Sequence, residues 1–89
     1  MNNKLTVANL GDSSAILIRN NQVLELTSEQ TPARIDEYQR IVSKQGVLVQ
    51  VGNALRVSGV LSVSRSIGDL PYKDYISSEP ELSTIQISP

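Results

Sequence analysis

Two glycine–aspartate pairs, each placed directly after a stretch of apolar residues, constrain this chain more than any other feature. They are Gly11-Asp12 and Gly68-Asp69. Glycine enters the backbone conformations of sharp turns without the steric penalty that a Cβ atom imposes. Each pair therefore predicts a corner that presents a carboxylate at the end of an extended segment. On the residues alone, an ordinary turn in which aspartate bonds nearby amide groups is the commoner explanation.

Short apolar segments separated by turn residues predict an α+β fold. The segments with strand-like patterns are residues 5–10, 15–19, 22–26, 47–51, 54–57, 60–63 and 82–87. One region instead has helical spacing, with Ile35, Tyr38 and Ile41 on one face, and predicts a helix over residues 34–45 that stops at Gly46. We expect the first three strands to form an antiparallel meander. The predicted fold class is an antiparallel β-sheet with one main helix packed on it.

Composition limits both the core and the range of partners. Only 3% of the residues are aromatic, so leucine, isoleucine, valine and alanine must fill any core. An independent domain of 89 residues with such a core would be marginally stable, which indicates that the chain packs against something else. The net charge is −1, with acidic and basic residues interspersed. We therefore expect neither nucleic acid nor a membrane as a partner.

Two absent residue types narrow the chemistry. The chain has no histidine, which removes histidine acid–base catalysis, serine–histidine triads and histidine metal ligands. Any metal must then be held by oxygen atoms, which favours Mg²⁺, Mn²⁺ or Ca²⁺ over Zn²⁺. The sequence also has no cysteine, which fits a cytoplasmic protein and leaves a nuclear location open.

Several blocks of the sequence occur in an order and spacing that are more specific than any block alone. Residues 7–13 form a strand and a glycine–aspartate–serine corner, and residues 37–47 form a helix and its exit. The strongest block is residues 56–69, with the sequence RVSGVLSVSRSIGD, and residues 72–81 close the series. Together the blocks resemble the metal-dependent serine/threonine phosphatases of the protein phosphatase 2C type. The resemblance implies that residues 1–89 are a central fragment of the catalytic domain and a partial piece of the family's β-sandwich.

The sequence also departs from the pattern of that family. The family usually has arginine at the position of Ser14, and aspartate–histidine–lysine–proline where this protein has EQTP at residues 29–32. Residues 1–89 contain neither the family's aspartate–glycine–histidine–glycine–glycine motif nor its upstream phosphate-binding arginine nor its C-terminal metal-binding aspartate motif. The resemblance therefore implies that no complete catalytic set lies in these residues.

The resemblance assigns metal-binding roles to the carboxylates of both corners. It implies that Asp69 is a direct ligand of one metal ion. It implies that Asp12 contacts a water of the metal cluster or helps to bind a further ion. The remaining candidates are the corner glycines and two arginines, namely Gly11, Gly68, Arg56 and Arg65. The arginines are suited to gripping phosphate, and the alternative is that they pair with carboxylates and shape the corner.

The implied function is that of a fragment of a Mg²⁺- or Mn²⁺-dependent phosphoprotein phosphatase. The parent would hydrolyse phosphoserine and phosphothreonine through a water activated by two metal ions. We expect two or more ions in the complete domain, none retained by this fragment, and an isolated fragment that is inactive. The alternative is that the chain is part of a catalytically silent phosphatase-like domain with a regulatory or binding role. A third hypothesis, an unrelated β-rich interaction domain, would be favoured by a structure without a helix over an antiparallel sheet.

The expected partners follow from the fragment hypothesis. Phosphoproteins are the expected substrates of the parent. A piece cut from a larger sheet exposes strand edges, and exposed edges invite pairing with other polypeptides. We therefore expect self-association of the fragment, for example as a dimer that adds or exchanges strands.

Overall fold

The computed structural model describes residues 3–87, which form three two-stranded antiparallel sheets and one α-helix. The strands are β1 Lys4–Asn9, β2 Ile16–Arg19, β3 Gln22–Glu25, β4 Leu48–Val51, β5 Ala54–Val57 and β6 Glu81–Gln86. The helix α1 is Ile35–Ser43, and a 3₁₀ turn spans Leu70–Tyr72. The predicted α+β class, with antiparallel strands and one main helix, is confirmed.

The first and last strands pair with each other, so the predicted meander of β1, β2 and β3 is wrong. β1 runs antiparallel to β6, with Asn9 opposite Glu81. Within the predicted meander, β2 and β3 form the expected hairpin, while β1 pairs elsewhere. The cause lies at Gly11, because its N–H and C=O groups both bond to Gln30. The backbone therefore turns away after β1 instead of folding back as a hairpin with β2.

Both hairpins close through two-residue turns, at the gaps between the predicted strand segments 15–19 and 22–26 and between 47–51 and 54–57. Asn20 and Asn21 connect β2 to β3 with φ of 53° and 62°. Asparagine tolerates this left-handed region, which matches the twist of hairpin strands. Gly52 and Asn53 connect β4 to β5, and in this turn only Gly52 has a positive φ, of 60°.

Residues 60–63, predicted as a strand, do not form one, because a tight turn spans residues 58–60 after β5 and Leu61 makes an isolated bridge back to Val57. Ser58 and Gly59 both have positive φ, at 54° and 73°, so the backbone reverses at once. Val57 N–H then donates to Leu61 C=O at 2.7 Å, and Leu61 N–H donates back to Val57 C=O at 3.2 Å. This isolated bridge occupies the backbone groups that a longer strand would have used.

Helix α1 is shorter than predicted, and glutamine rather than glycine reverses the backbone at its end. Gln45 has φ of 65°, and its N–H donates to Val42 C=O at 2.9 Å. Gly46 N–H donates to Ile41 C=O, also at 2.9 Å, which completes a Schellman motif. Gly46 is needed for close packing, because a Cβ there would lie 2.6 Å from Ile41 Cγ2 and 3.1 Å from Tyr75 Cδ1.

The core of the described residues is small and partly polar. Its buried apolar residues are Ile41, Val57 and Ile76, and its buried polar residues are Asn9, Gln30, Glu37 and Ser64. Most of the apolar stripe predicted on α1 lies at the surface, since Ile35 is 74% exposed and Tyr38 is 45% exposed. The buried face of α1 is instead formed by Glu37 and Ile41, four positions apart. No helix within residues 3–87 has the length and apolar character needed to cross a membrane.

Candidate functional site

A buried glutamine holds the first predicted corner. Gly11 has φ of 93°, a conformation that residues with a Cβ rarely adopt. Its N–H donates to Gln30 Oε1 at 2.6 Å, and its C=O accepts from Gln30 N–H at 3.0 Å. A Cβ at Gly11 would lie 3.3 Å from the carbonyl oxygen of Arg65. Asp12 follows directly and is exposed.

Gln30 is fully buried, and its side-chain oxygen and nitrogen are both bonded. Its Nε2 donates to Asn9 C=O at 3.1 Å and to Glu81 Oε1 at 2.9 Å. Its backbone carbonyl accepts from Ser64 N–H at 3.0 Å. The orientation of the amide is unambiguous, because Gly11 N–H can only donate and Asn9 C=O can only accept. The first corner, the start of β6 and the segment before the second corner therefore meet at one residue.

The second predicted corner is more open. Gly68 has φ of 91°, with no atom near the position that a Cβ would take. Asp69 also has a left-handed backbone, with φ of 52°, and its C=O accepts from Tyr72 N–H at 2.9 Å to begin the 3₁₀ turn. Ser66 Oγ donates to Asp69 Oδ2 at 2.6 Å. The carboxylate is exposed at the surface, oriented by one neighbouring hydroxyl.

The most heavily bonded group near the corners is the Glu37 cluster, which consists of Glu37, Arg40, Ser64 and Arg65. Glu37 Oε1 accepts from Ser64 Oγ at 2.8 Å and from Arg65 Nε at 2.7 Å. Its Oε2 accepts from Arg40 Nη1 at 2.8 Å and from Arg65 Nη2 at 3.1 Å. Arg40 Nη2 also donates to the backbone carbonyl of Ser64 at 2.7 Å. Helix α1 is thereby tied to the segment that leads into the second corner.

The bonds within this cluster favour the charged forms of Glu37 and Arg65. Burial by itself would raise the pKa of Glu37, but hydrogen bonds from Arg65 and Ser64 and the charges of Arg40 and Arg65 outweigh it and lower that pKa. The hydrogen bond to Glu37 raises the pKa of Arg65, against the opposing effect of its own burial. The Arg65 guanidinium is thus paired with a carboxylate, which is one of the two roles that the sequence suggested for it.

A second set of charges surrounds Arg34, at the start of α1. Arg34 binds Glu81 through two contacts, Nη1 to Oε1 at 2.8 Å and Nη2 to Oε2 at 3.1 Å. Its Nε donates to Asp36 Oδ1 at 2.7 Å. The bond from Arg34 lowers the pKa of Asp36 to about 2, and bonds from Arg34 and then Gln30 lower the pKa of Glu81. The Glu81 carboxylate, which Gln30 contacts, is therefore also held in place by Arg34.

The two predicted arginines have different surroundings. Arg65 forms the expected carboxylate pair, with Glu37. Arg56 donates from Nη1 to Val60 C=O at 2.8 Å, and it makes no ion pair within the described residues. The carboxylate pairing predicted for Arg56 is therefore not found in residues 3–87. Its bond closes the turn after β5 instead.

The donor chemistry of the corners fits divalent ions, but the number of donors does not complete a site. Asp12 and Asp69 supply the oxygen ligands that Mg²⁺ and Mn²⁺ prefer. Within residues 3–87, no three acidic, histidine or cysteine residues are grouped so that they could hold a metal ion. An ion at either corner would need further ligands from water or from other protein segments. Asp12 lines an open cavity of about 250 Å³, which has room for water ligands.

Sequence reasoning missed the two buried residues that organise the site, Gln30 and Glu37. A signal for Glu37 existed, because it lies four positions before Ile41 and therefore on the same helical face. Gln30 had no local signal. Its side-chain partners lie 19, 21 and 51 positions away in the sequence, so only the folded structure brings them together.

Comparison with known sequences places the whole chain within one family pattern. The family model for Protein phosphatase 2C matches residues 1–89. Probable protein phosphatase 2C 11 of Arabidopsis thaliana is 42% identical over 85 residues, which cover 96% of this chain and 23% of that protein. Protein phosphatase 2C 53 of Oryza sativa subsp. japonica is 48% identical over 79 residues, which cover 89% of this chain and 18% of that protein. The chain thus spans less than a quarter of these relatives.

Solved structures share the fold over nearly the whole chain. A sex determining protein of C. elegans superposes with a TM-score of 0.91 at 35% identity, over 96% of this chain and 21% of that one. A phosphatase from Toxoplasma gondii superposes with a TM-score of 0.89 at 26% identity, over 97% of this chain and 26% of that one. The irregular segments that carry both corners are therefore part of a shared architecture.

Proposed function

The chain belongs to the protein phosphatase 2C family, and on that basis we propose that it is a central part of the catalytic domain of a Mg²⁺- or Mn²⁺-dependent phosphoprotein phosphatase. The reaction is hydrolysis of phosphoserine and phosphothreonine in proteins, with water activated by two metal ions. The match spans 23% of the Arabidopsis relative, so this activity is that of a larger protein. The 89-residue fragment by itself is inactive.

The observation that carries this proposal is that both aspartate corners belong to one hydrogen-bonded assembly. Gln30 bonds both backbone groups of Gly11 and also accepts from Ser64 N–H, four residues before Gly68. The carboxylates that follow the two glycines, on Asp12 and Asp69, are both exposed. A pair of accessible carboxylates on one hydrogen-bonded assembly suits ion binding better than two unrelated surface turns would.

The chemistry assigns separate tasks to the residues of the two corners. Asp69 would bind one ion directly, and Asp12 would contact a coordinated water or help to hold a further ion. When bound, such ions neutralise charge on the phosphoryl oxygens and lower the pKa of water. Two other residues near the second corner would contribute only by holding the carboxylate and the backbone in place. Ser66 orients the Asp69 carboxylate, and Arg65 is held by Glu37 so that the segment before Gly68 keeps its path.

The test is the substitution Asp69→Ala in the complete protein that contains residues 1–89. We expect Mn²⁺-dependent hydrolysis of a phosphopeptide to fall about 100-fold or more, because a direct ligand contributes at least as much as the outer-shell partners, whose loss costs about 10–100-fold. Steady-state kinetics across a Mn²⁺ titration measure the effect. The matched control is Asp74→Ala, an aspartate in the turn beyond the corner, which should leave activity unchanged.

Three outcomes would count against the proposal. Full activity of Asp69→Ala would remove the ligand role of that residue. A complete wild-type protein that hydrolyses no phosphopeptide with either Mg²⁺ or Mn²⁺ would favour the catalytically silent alternative. Metal-dependent turnover by the purified 89-residue fragment would contradict its proposed inactivity.

A further inference from the structure

We propose that Gln30 is a positioning residue for the Asp12 carboxylate, because its buried amide fixes the backbone corner from which that carboxylate projects. The divalent ion that Asp12 serves is part of the proposed function, and this inference rests on it. Gln30 touches neither the ion nor the phosphate in this role. It acts through Gly11.

The position of Asp12 depends on its backbone. The residue is exposed, and within residues 3–87 no side-chain hydrogen bond or ion pair engages its carboxylate. The second corner differs, since Ser66 orients the carboxylate of Asp69 directly. Whatever fixes the Asp12 carboxylate must therefore act on the peptide unit before it, at Gly11.

Gln30 restrains Gly11 at both of its backbone polar groups. One bond joins Gly11 N–H to the side-chain oxygen at 2.6 Å, and the other joins Gly11 C=O to the backbone N–H of Gln30 at 3.0 Å. The third restraint is steric, because the Arg65 carbonyl oxygen lies beside Gly11, 3.3 Å from the position that a Cβ would take. The corner cannot rotate about φ without breaking at least one of these contacts.

The clamp itself has little freedom. The side chain of Gln30 is fully buried, and its Nε2 donates to both Asn9 C=O and Glu81 Oε1. Glu81 is in turn held by two bonds from Arg34. A buried amide whose oxygen and nitrogen both make hydrogen bonds is costly to move, because each broken bond leaves a polar group buried without a partner.

The same residue also relates the two corners to each other. Gln30 C=O accepts from Ser64 N–H, and Ser64 Oγ donates to the buried carboxylate of Glu37. A shift of Gln30 would therefore move the first corner relative to the segment that leads to Gly68. A site that uses carboxylates from both corners needs that relation to stay constant.

The experiment compares Mn²⁺ binding by the complete protein before and after Gln30→Met, which keeps the length of the side chain and removes its amide. Isothermal titration calorimetry and the electron paramagnetic resonance signal of free Mn²⁺ report affinity without any need for turnover. We expect the Mn²⁺ affinity of the weakest site that the titration distinguishes to fall about tenfold. This is the lower end of the range for partners that orient a metal ligand. Raising the Mn²⁺ concentration should restore most of the lost phosphatase activity.

Two further variants separate positioning from general loss of stability. Ile76→Val removes one methyl group from the buried core at a residue that belongs to neither corner, so it should lower the melting temperature and leave Mn²⁺ affinity unchanged. Glu81→Ala releases one of the two acceptors of the Gln30 amide and should weaken Mn²⁺ binding in the same direction by a smaller factor. Glu81 is partly exposed, so this variant decides the question if Gln30→Met fails to fold.

The outcomes distinguish failure of this inference from failure of the proposed function. Asp12→Asn serves as the reference, because it removes the charge of the carboxylate itself. If Asp12→Asn weakens Mn²⁺ binding but Gln30→Met and Glu81→Ala do not, the positioning role of Gln30 is wrong and the function stands. If Asp12→Asn also leaves Mn²⁺ binding unchanged, the metal role of Asp12 is wrong, and the inference about Gln30 falls with it.

Discussion

The Glu37 cluster and the two hairpins use polar and apolar residues in opposite ways. In the cluster a carboxylate that is only 2% exposed is surrounded by two arginines and a serine. In the β2–β3 hairpin a directly opposed apolar pair, Ile18 and Val23, is 68% and 59% exposed. Charge pairing thus ties α1 to the segment before the second corner, while much of the apolar surface of the described residues remains available for other contacts.

The energetics of the two regions differ for a physical reason. A buried carboxylate is stable only when its lost hydration is replaced, and each Glu37 oxygen accepts two hydrogen bonds. Hydrogen bonds do not replace all of the lost hydration around the cluster, because Arg40 Nε is buried without a partner among the described residues. Replacement of an exposed apolar pair leaves no buried charge without hydration. The hairpin should therefore tolerate substitution much better than the cluster.

The largest expected effect is that of Glu37→Ala. It leaves two arginines without their shared carboxylate in a part-buried site, so the free energy of unfolding should fall by about 3–5 kcal/mol. Urea denaturation followed by circular dichroism measures the loss. Glu29→Ala is the control, because Glu29 is exposed on the loop before α1. Equal stability of the two variants would show that the cluster does not hold the fold together.

A smaller effect is expected when acid protonates the same carboxylate, because the side chain keeps its volume. The folded-state pKa of Glu37 lies below its ordinary value of 4.5, so its contribution is complete above about pH 4.5 and is lost as pH falls through the lower folded pKa. Asp36 and Glu81, whose pKa values are also lowered, act in the same direction. Urea denaturation at several pH values gives the profile.

The variant Glu37→Gln isolates the share of that acid sensitivity that belongs to the cluster. Its unfolding free energy should be lower than that of the wild type at pH 7 and should depend less on pH below 4.5. A wild-type profile as flat as that of Glu37→Gln would mean that this carboxylate does not titrate with folding.

The smallest effect on stability is expected from the double substitution Ile18→Thr and Val23→Thr. Threonine keeps the strand preference of the hairpin, so unfolding should change little. The isolated 89-residue fragment should self-associate through this apolar face and the free strand edges, and the double variant should weaken that association. Sedimentation velocity over a range of concentrations measures it, with the exposed polar change Gln22→Thr as control. A wild-type fragment that stays monomeric at high concentration would contradict self-association.

Local features of the fold were readable from the sequence because short-range geometry decides them. The turns at Asn20-Asn21 and Gly52-Asn53 follow from residue types that tolerate positive φ, and the helix follows from spacing and from its end near Gly46. The blocks that resemble protein phosphatase 2C are likewise a property of residue order, and they carried the family assignment. Most of the elements, the α+β class and the family could therefore be predicted from residue order.

The pairing of the elements and the burial of particular polar residues depend on contacts that form only in the folded chain. A helix that carries both Tyr38 and Glu37 can bury either face, and the buried face is the one whose carboxylate finds Arg65, 28 positions further along the sequence. The pairing of β1 with β6 and the clamp of Gln30 on Gly11 depend in the same way on partners distant in sequence. The hydrogen bonds that a polar side chain makes depend on the groups that surround it after folding, and periodicity can indicate a shared helical face but does not identify partners distant in sequence.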